Sequence, residues 1–338
     1  MTMKNTIIAI TATIALLASC SKQECKTPVQ GQISTLNVSV CGSTPLRSAV
    51  IDEAKVNSLQ VFVFNGNQLD VYGSAAGSSL TLKATTGVRE VWALVNAPDL
   101  SSIVSKDELK QTVSTLADNG LDKFVMAGSR PDTLTQSSDV TVQVNRLAAR
   151  INIQKITRKF SSAGLASLPA DKFELLRIYA ADVVTNNNYA LTLNSGFVWK
   201  NSTLSGGSID SSDQLLLRNP SAPVQIAQGA SHEEDLSVYV YPNPTATQSG
   251  DALFTRLVAE FRIDGNIYTY PIEIENVERN RSYEIKELVI TRLGNPSDGD
   301  NEIDQGENEK IESFDLPFGI EVKPWLLVLL GDDGTVTI

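Results

Sequence analysis

The sequence has one histidine, His232, in 338 residues. A lone imidazole cannot build a His-rich zinc centre or a facial-triad iron site, and it leaves few routes to a His-activated nucleophile. Cysteine is almost as scarce. The three present, Cys20, Cys25 and Cys41, all lie near the start, so no disulfide or catalytic thiol can come from the body of the chain. Basic charge is also short, with 28 Lys and Arg against 39 Asp and Glu, a net charge of −11 and 6% aromatics. Phosphate contact needs a basic face, so nucleic acid is excluded as a natural partner. No 20–50-residue repeat, phosphate-binding glycine pattern or nucleophile–base spacing is found, so the reading is not an enzyme and carries no cofactor.

What is present begins with an address. Met1–Cys20 has a basic start at Lys4, an apolar run from Ile7 to Ala18 and the ending Leu17-Ala18-Ser19-Cys20. The run is too short to span a bilayer and suits an export signal. The small pair before a cysteine, with leucine at −3, resembles the bacterial lipobox. That resemblance makes residues 1–19 a lipoprotein signal peptide and Cys20 a lipidated N-terminus, held in the outer membrane by acyl chains such as palmitate.

The rest reads as strands. Ser58–Phe64 is rich in β-branched and aromatic residues and runs into Asn65-Gly66, a hairpin signal. Further strands are expected at Val88–Val95, Val140–Val144, Ala149–Ile156, Leu175–Ala180, Leu236–Tyr241, Leu253–Ile263, Ile267–Ile274 and Ser282–Thr291, with Asp264-Gly265 as the clearest turn. One helix is signalled by a capping box, Ser105-x-x-Glu108, with Leu109, Val113 and Leu116 on its face. This pattern predicts an all-β chain of two sandwiches, divided near 145–160.

Two segments stand apart. Gln32–Val40 alternates, with Ile33, Leu36, Val38 and Val40 apolar, and is followed by the small, polar stretch Cys41–Ser48. Arg47 is the only Lys or Arg between Lys26 and Lys55, in a composition that proteases cut. At the other end, Trp325, Leu326, Leu327, Val328, Leu329 and Leu330 form a run apolar on both faces. As a strand it must be covered on both sides.

Several side-chain groups offer weaker chemistry. Asp298, Asp300, Glu302, Asp304 and Glu307 could suggest calcium, but Ile303 sits where an EF-hand needs glycine, and a solvated linker is expected. His232 with Glu233, Glu234 and Asp235 reads as an exposed loop, Trp92, Trp199 and Trp325 as core, and Tyr239–Pro244 as a strand end and turn.

Ala149-Arg150 within VNRLAARINI, the hairpin to Tyr270-Pro271, the run Asn276–Ile290, the Gly294–Pro296 loop and the terminal VKPWLLVL together resemble the major fimbrillin family of Bacteroidales, subunits of type V pili. The resemblance runs from the lipobox to the last strand. It implies two tandem transthyretin-like β-sandwich domains, here 48–150 and 151–338, with a short helix in the first. It also implies a lipoprotein precursor in the outer membrane whose segment 20–47 is removed by an arginine-specific surface protease between Arg47 and Ser48. The displaced strand would then be Gln32–Val40, and Trp325–Leu330 with its flanks the donor that fills a neighbour's groove. Partners implied are copies of the chain and other pilus subunits, in an extracellular fimbrium that supports adhesion. The alternatives are an uncleaved anchor or tip-associated subunit, or a monomeric surface lipoprotein that binds glycans.

Overall fold

A computed structural model describes residues 31–41, 53–190, 199–200, 213–220, 222–244, 254–297 and 320–324. The first strand, β1 (Ile33–Cys41), is followed by β2 (Leu59–Asn65), β3 (Gln68–Ala75), β4 (Ser79–Thr85) and β5 (Gly87–Val95). A short helix α1 (Lys106–Gln111) leads to β6 (Val113–Thr115), β7 (Met126–Leu134), β8 (Ser137–Gln143) and β9 (Asn145–Arg146). All of these strands but β6 make two sheets, ordered β4-β1-β8 and β3-β2-β5-β7-β9. The chain is all-β, as the strand signals require.

β2 explains why SLQVFVF is apolar without alternation. Val61 pairs with Gly73, and a Cβ built on Gly73 would stand 2.4 Å from Leu82 of β4, so this face of β2 meets the three-stranded sheet. On the opposite face the Phe62 ring packs against Tyr72 in a tilted pair, centroids 4.9 Å apart, and Gln60 bonds the backbone of Ala97, Pro98 and Leu100. Both faces are therefore covered. The β2–β3 turn places Gly66 and Asn67 at its tip, one residue beyond the expected pair, with Gly66 at φ 62°.

The second group of strands starts with β10 (Ala149–Arg158) and β11 (Phe173–Ala181). β10 lies between Ser231–Val240, antiparallel, and Arg281–Ile285, parallel, and the strand Ile320–Pro324 extends this sheet beyond Arg281–Ile285. β11 pairs with Thr255–Ile263, which turns through Asp264-Gly265, both at positive φ, into Asn266–Ile274. Two consecutive positive φ values define the tight turn that matches strand twist. The expected strand 282–291 is broken into Arg281–Ile285 and Leu288–Ile290, both pairing with β10. Where the Gly294–Pro296 loop is expected, Asn295–Ser297 adds a strand beside Ile267–Thr269.

The helix is shorter than its apolar spacing suggests. Ser105 accepts from the Glu108 amide at 3.2 Å, but the Glu108 carboxylate caps Val104 rather than Ser105. Thr112 is extended (ψ 134°) and ends the helix, because Val113–Thr115 pairs with Asn186–Asn188 from the second group. Val113 is 40% exposed, and Leu116 is buried from a 3₁₀ turn instead. Strand pairing overrides helical period here.

The two groups are tied together by polar contacts. Tyr241 donates to the Thr115 carbonyl at 3.0 Å, accepts from Asn119 at 2.8 Å and lies 2.8 Å from Ser114 Oγ. Tyr239 donates to the Glu53 carboxylate at 2.6 Å, and Arg150 pairs with the same carboxylate at 3.3 Å. Buried Arg146 donates through Nε and Nη2 to the Glu53 carbonyl, at 3.2 and 3.0 Å.

Candidate functional site

β1 occupies the centre of its sheet, antiparallel to β4 and parallel to β8. Strand periodicity of two turns Ser34, Leu36, Val38 and Val40 inward, and all four are buried. Ile33, one of the apolar residues expected to be covered, begins β1 but has the opposite parity and is 73% exposed. Ser34 takes the inward place beside Leu36, a position its polarity hid from a count of apolar residues.

The outward face carries a polar ladder. Asn37 donates from Nδ2 to Asp139 at 2.8 Å and accepts at Oδ1 from Thr81 at 2.8 Å, so one amide bridges both neighbouring strands. Lys83 donates to Thr35 at 2.7 Å, and Ser39 lies 3.2 Å from Thr141. Sequence reading foresaw the apolar face of this strand but neither the ladder nor the parallel pairing with β8.

Burying Leu36, Val38 and Val40 stabilises the sheet by roughly 5–9 kcal/mol before ordering costs. Without β1, the facing edges of β4 and β8 would carry unpaired N–H and C=O groups above an open apolar slot. The arrangement is thus a groove filled by the chain's own first strand. Cys20, Arg47, Ser48 and all of Trp325–Leu330 fall outside the described residues. The chain is next described at Glu53, which the Arg146, Arg150 and Tyr239 contacts hold.

The remaining candidates resolve simply. His232 sits on the strand Ser231–Val240, not in a loop, with Nε2 2.9 Å from Glu234. Trp92 is buried and donates to Glu90 at 2.8 Å. Trp199 begins a two-residue strand, while Trp325 and the acidic residues 298–307 lie outside the described residues. Tyr239 and Tyr241 are buried structural hydrogen-bonders. Among the described residues no group of three or more ligating side chains could hold a metal, and no helix is long and apolar enough to cross a membrane.

Residues 39–155, from the end of β1 through most of β10, match the family model described as the major fimbrial subunit protein (FimA). Over that segment the chain is similar to major fimbrial subunits. The family is one of structural subunits, not of enzymes. Solved structures with the same fold include a fimbrilin of Porphyromonas gingivalis, 14% identical with a TM-score of 0.59, covering 88% of this chain and 98% of that one. A candidate cell adhesion protein of Bacteroides eggerthii is 16% identical at a TM-score of 0.62, covering 88% and 97%. Another from Parabacteroides distasonis is 17% identical at 0.57, covering 88% and 98%. None of the curated proteins matches the sequence.

Proposed function

We propose that the chain is a fimbrial subunit, exported as an outer-membrane lipoprotein through Cys20, which polymerises by strand exchange after an arginine-specific surface protease cuts between Arg47 and Ser48. The observation that carries the reading is the position of β1. It is central in its sheet, it is the strand nearest the N-terminus among the described residues, and it ends at Cys41, six residues before Arg47.

A cut at Arg47 separates β1, the lipid anchor and all three cysteines from the body together. The vacated groove then accepts an extended segment that pairs with β4 and β8 and supplies apolar side chains in place of Leu36, Val38 and Val40. Trp325–Leu330 of another copy has the composition for this, and it follows directly on the edge strand Ile320–Pro324. A head-to-tail contact of this kind does not close on itself, so it grows into a filament. In this reading the chain works in two sandwich domains, 48–150 and 151–338, and its partners are copies of itself and other pilus subunits in an extracellular fimbrium supporting adhesion. Release from the membrane and assembly become one event.

The Arg47→Ala variant tests the coupling. Treated with an arginine-specific protease, it is expected to keep its N-terminal segment and stay monomeric while the unaltered chain forms oligomers. A variant that assembles as readily as the unaltered chain overturns the reading.

A further inference from the structure

A second feature lies away from β1, where the two groups of strands meet. A cavity of about 540 Å³ is lined by Asn145 and Asn187, the prolines Pro242 and Pro324, and the neighbours Arg279 and Asn280. Among the described residues the Nη1 of Arg279 is buried and has no hydrogen-bond partner. The acid beside it is already engaged, since Glu278 pairs with Arg281 at 3.2 Å. In the same cavity the Oδ1 of Asn280 is buried and unpartnered, while its Nδ2 donates to Asn145 at 2.9 Å.

The loop that presents these groups is fixed at several points. Tyr283 OH donates to the Asn276 carbonyl at 2.7 Å and accepts from the Glu278 amide at 2.8 Å. The Asn243 amide bonds the Val277 carbonyl at 2.8 Å, and the Asn280 amide bonds Ala148 at 2.9 Å. Asn276 and Asn280 both adopt positive φ, 49° and 52°, a conformation that asparagine tolerates and that over-determined sites retain. The orphan donor and orphan acceptor are therefore preorganised rather than accidents of a floppy loop. A buried cation without a counter-ion is costly, and burial pushes the Arg279 guanidinium down to about 10. A bound anion would remove that cost.

We propose that this cavity is a binding site for a hydroxy-carboxylate of the sugar-acid class. The carboxylate accepts from Arg279, whose planar fork suits a two-oxygen acceptor. A ligand hydroxyl donates to Asn280 Oδ1, and the proline walls cover the apolar face of a ring. The site needs neither cleavage at Arg47 nor an empty β1 groove, so it stands apart from the assembly reading.

Calorimetric titration of the full chain at constant ionic strength tests it with three probes: sodium glucuronate, sodium acetate and glucose. The expected order is saturable glucuronate binding, acetate weaker by tenfold or more and no glucose binding. Arg279→Gln should weaken glucuronate at least tenfold. Asn280→Ala should weaken glucuronate but leave acetate unchanged. No saturable glucuronate binding, equal affinity for acetate and glucuronate, or binding indifferent to Arg279→Gln overturns the proposal. Because Arg279→Gln can disturb the loop, the unaltered chain supplies a second readout. Phenylglyoxal modification mapped by peptide mass should be slowed at Arg279 by glucuronate and not by glucose. Equal rates with both sugars contradict the site.

Discussion

Asn37 and Asp139, 102 positions apart, are joined by a 2.8 Å hydrogen bond that ties β1 to β8 on the outer face of the sheet. Below that bond Leu36, Val38 and Val40 are sunk in the core. The first strand is therefore held from both sides, and its two faces make different predictions.

Leu36→Ala removes buried atoms from the middle of the sheet and should lower the stability of the uncut chain by about 2–5 kcal/mol. Ile33→Ala, at the exposed start of the same strand, should change it by less than about 0.5 kcal/mol. Urea unfolding of the two variants checks the contrast. Equal effects would mean that the inward register is not Ser34-Leu36-Val38-Val40.

Tyr241→Phe deletes a hydroxyl that serves Thr115, Asn119 and Ser114. Leaving those buried partners short should cost about 1–3 kcal/mol. The loss should show as a lower urea midpoint with an unchanged slope. A change within error would mean that water replaces the hydroxyl and that the tie between the strand groups is not structural.

Alkaline pH should unfold the chain. Burial pushes the Tyr189 phenol up to about 12. Burial likewise raises Tyr239, with the Glu53 carboxylate adding to it, and Tyr241 and Tyr270. Raised phenols hold their protons longer in the folded chain than in the unfolded one, whose tyrosines titrate near 10. Their contribution to stability is complete below pH 10 and is lost as pH rises through the folded values. Arg279 works the other way, because its guanidinium is pushed down by burial and adds stability between about 10 and its ordinary value. Burial lowers Arg158, Arg218 and Arg256 as well and also raises Tyr72 and Tyr283, so six tyrosines stand against four arginines and the balance is destabilising. Absorbance at 295 nm should therefore rise late and together with loss of structure, above pH 11. Smooth titration near pH 10 in a chain that stays folded would contradict the burial of these side chains.

Local signals were enough for much of the fold. Asp264-Gly265 turns where a two-residue hairpin should, and Leu59–Asn65 forms a strand because its residues suit a site covered on both faces. Long-range pairing was not legible. Val113 fits the helical stripe behind Ser105, but Asn188 pairs with it as a strand, and nothing near Val113 in sequence announces that partner. The candidate site divides the same way. The alternation of Leu36, Val38 and Val40 marked β1 as half-buried, whereas Ile33 was misleading because apolar character without parity does not fix a face. Glu53 gave no signal at all, since its meaning depends on Arg150 and Tyr239, far along the chain.

The central claim is that the first strand is a removable plug. Intact mass and size-exclusion chromatography of the full chain, before and after limited digestion with an arginine-specific protease, test it most directly. The account predicts a single cut after Arg47, loss of the segment that carries β1 and then a ladder of oligomers. A chain that resists cutting at Arg47, or one that is cut there, loses the segment and remains monomeric, would contradict it.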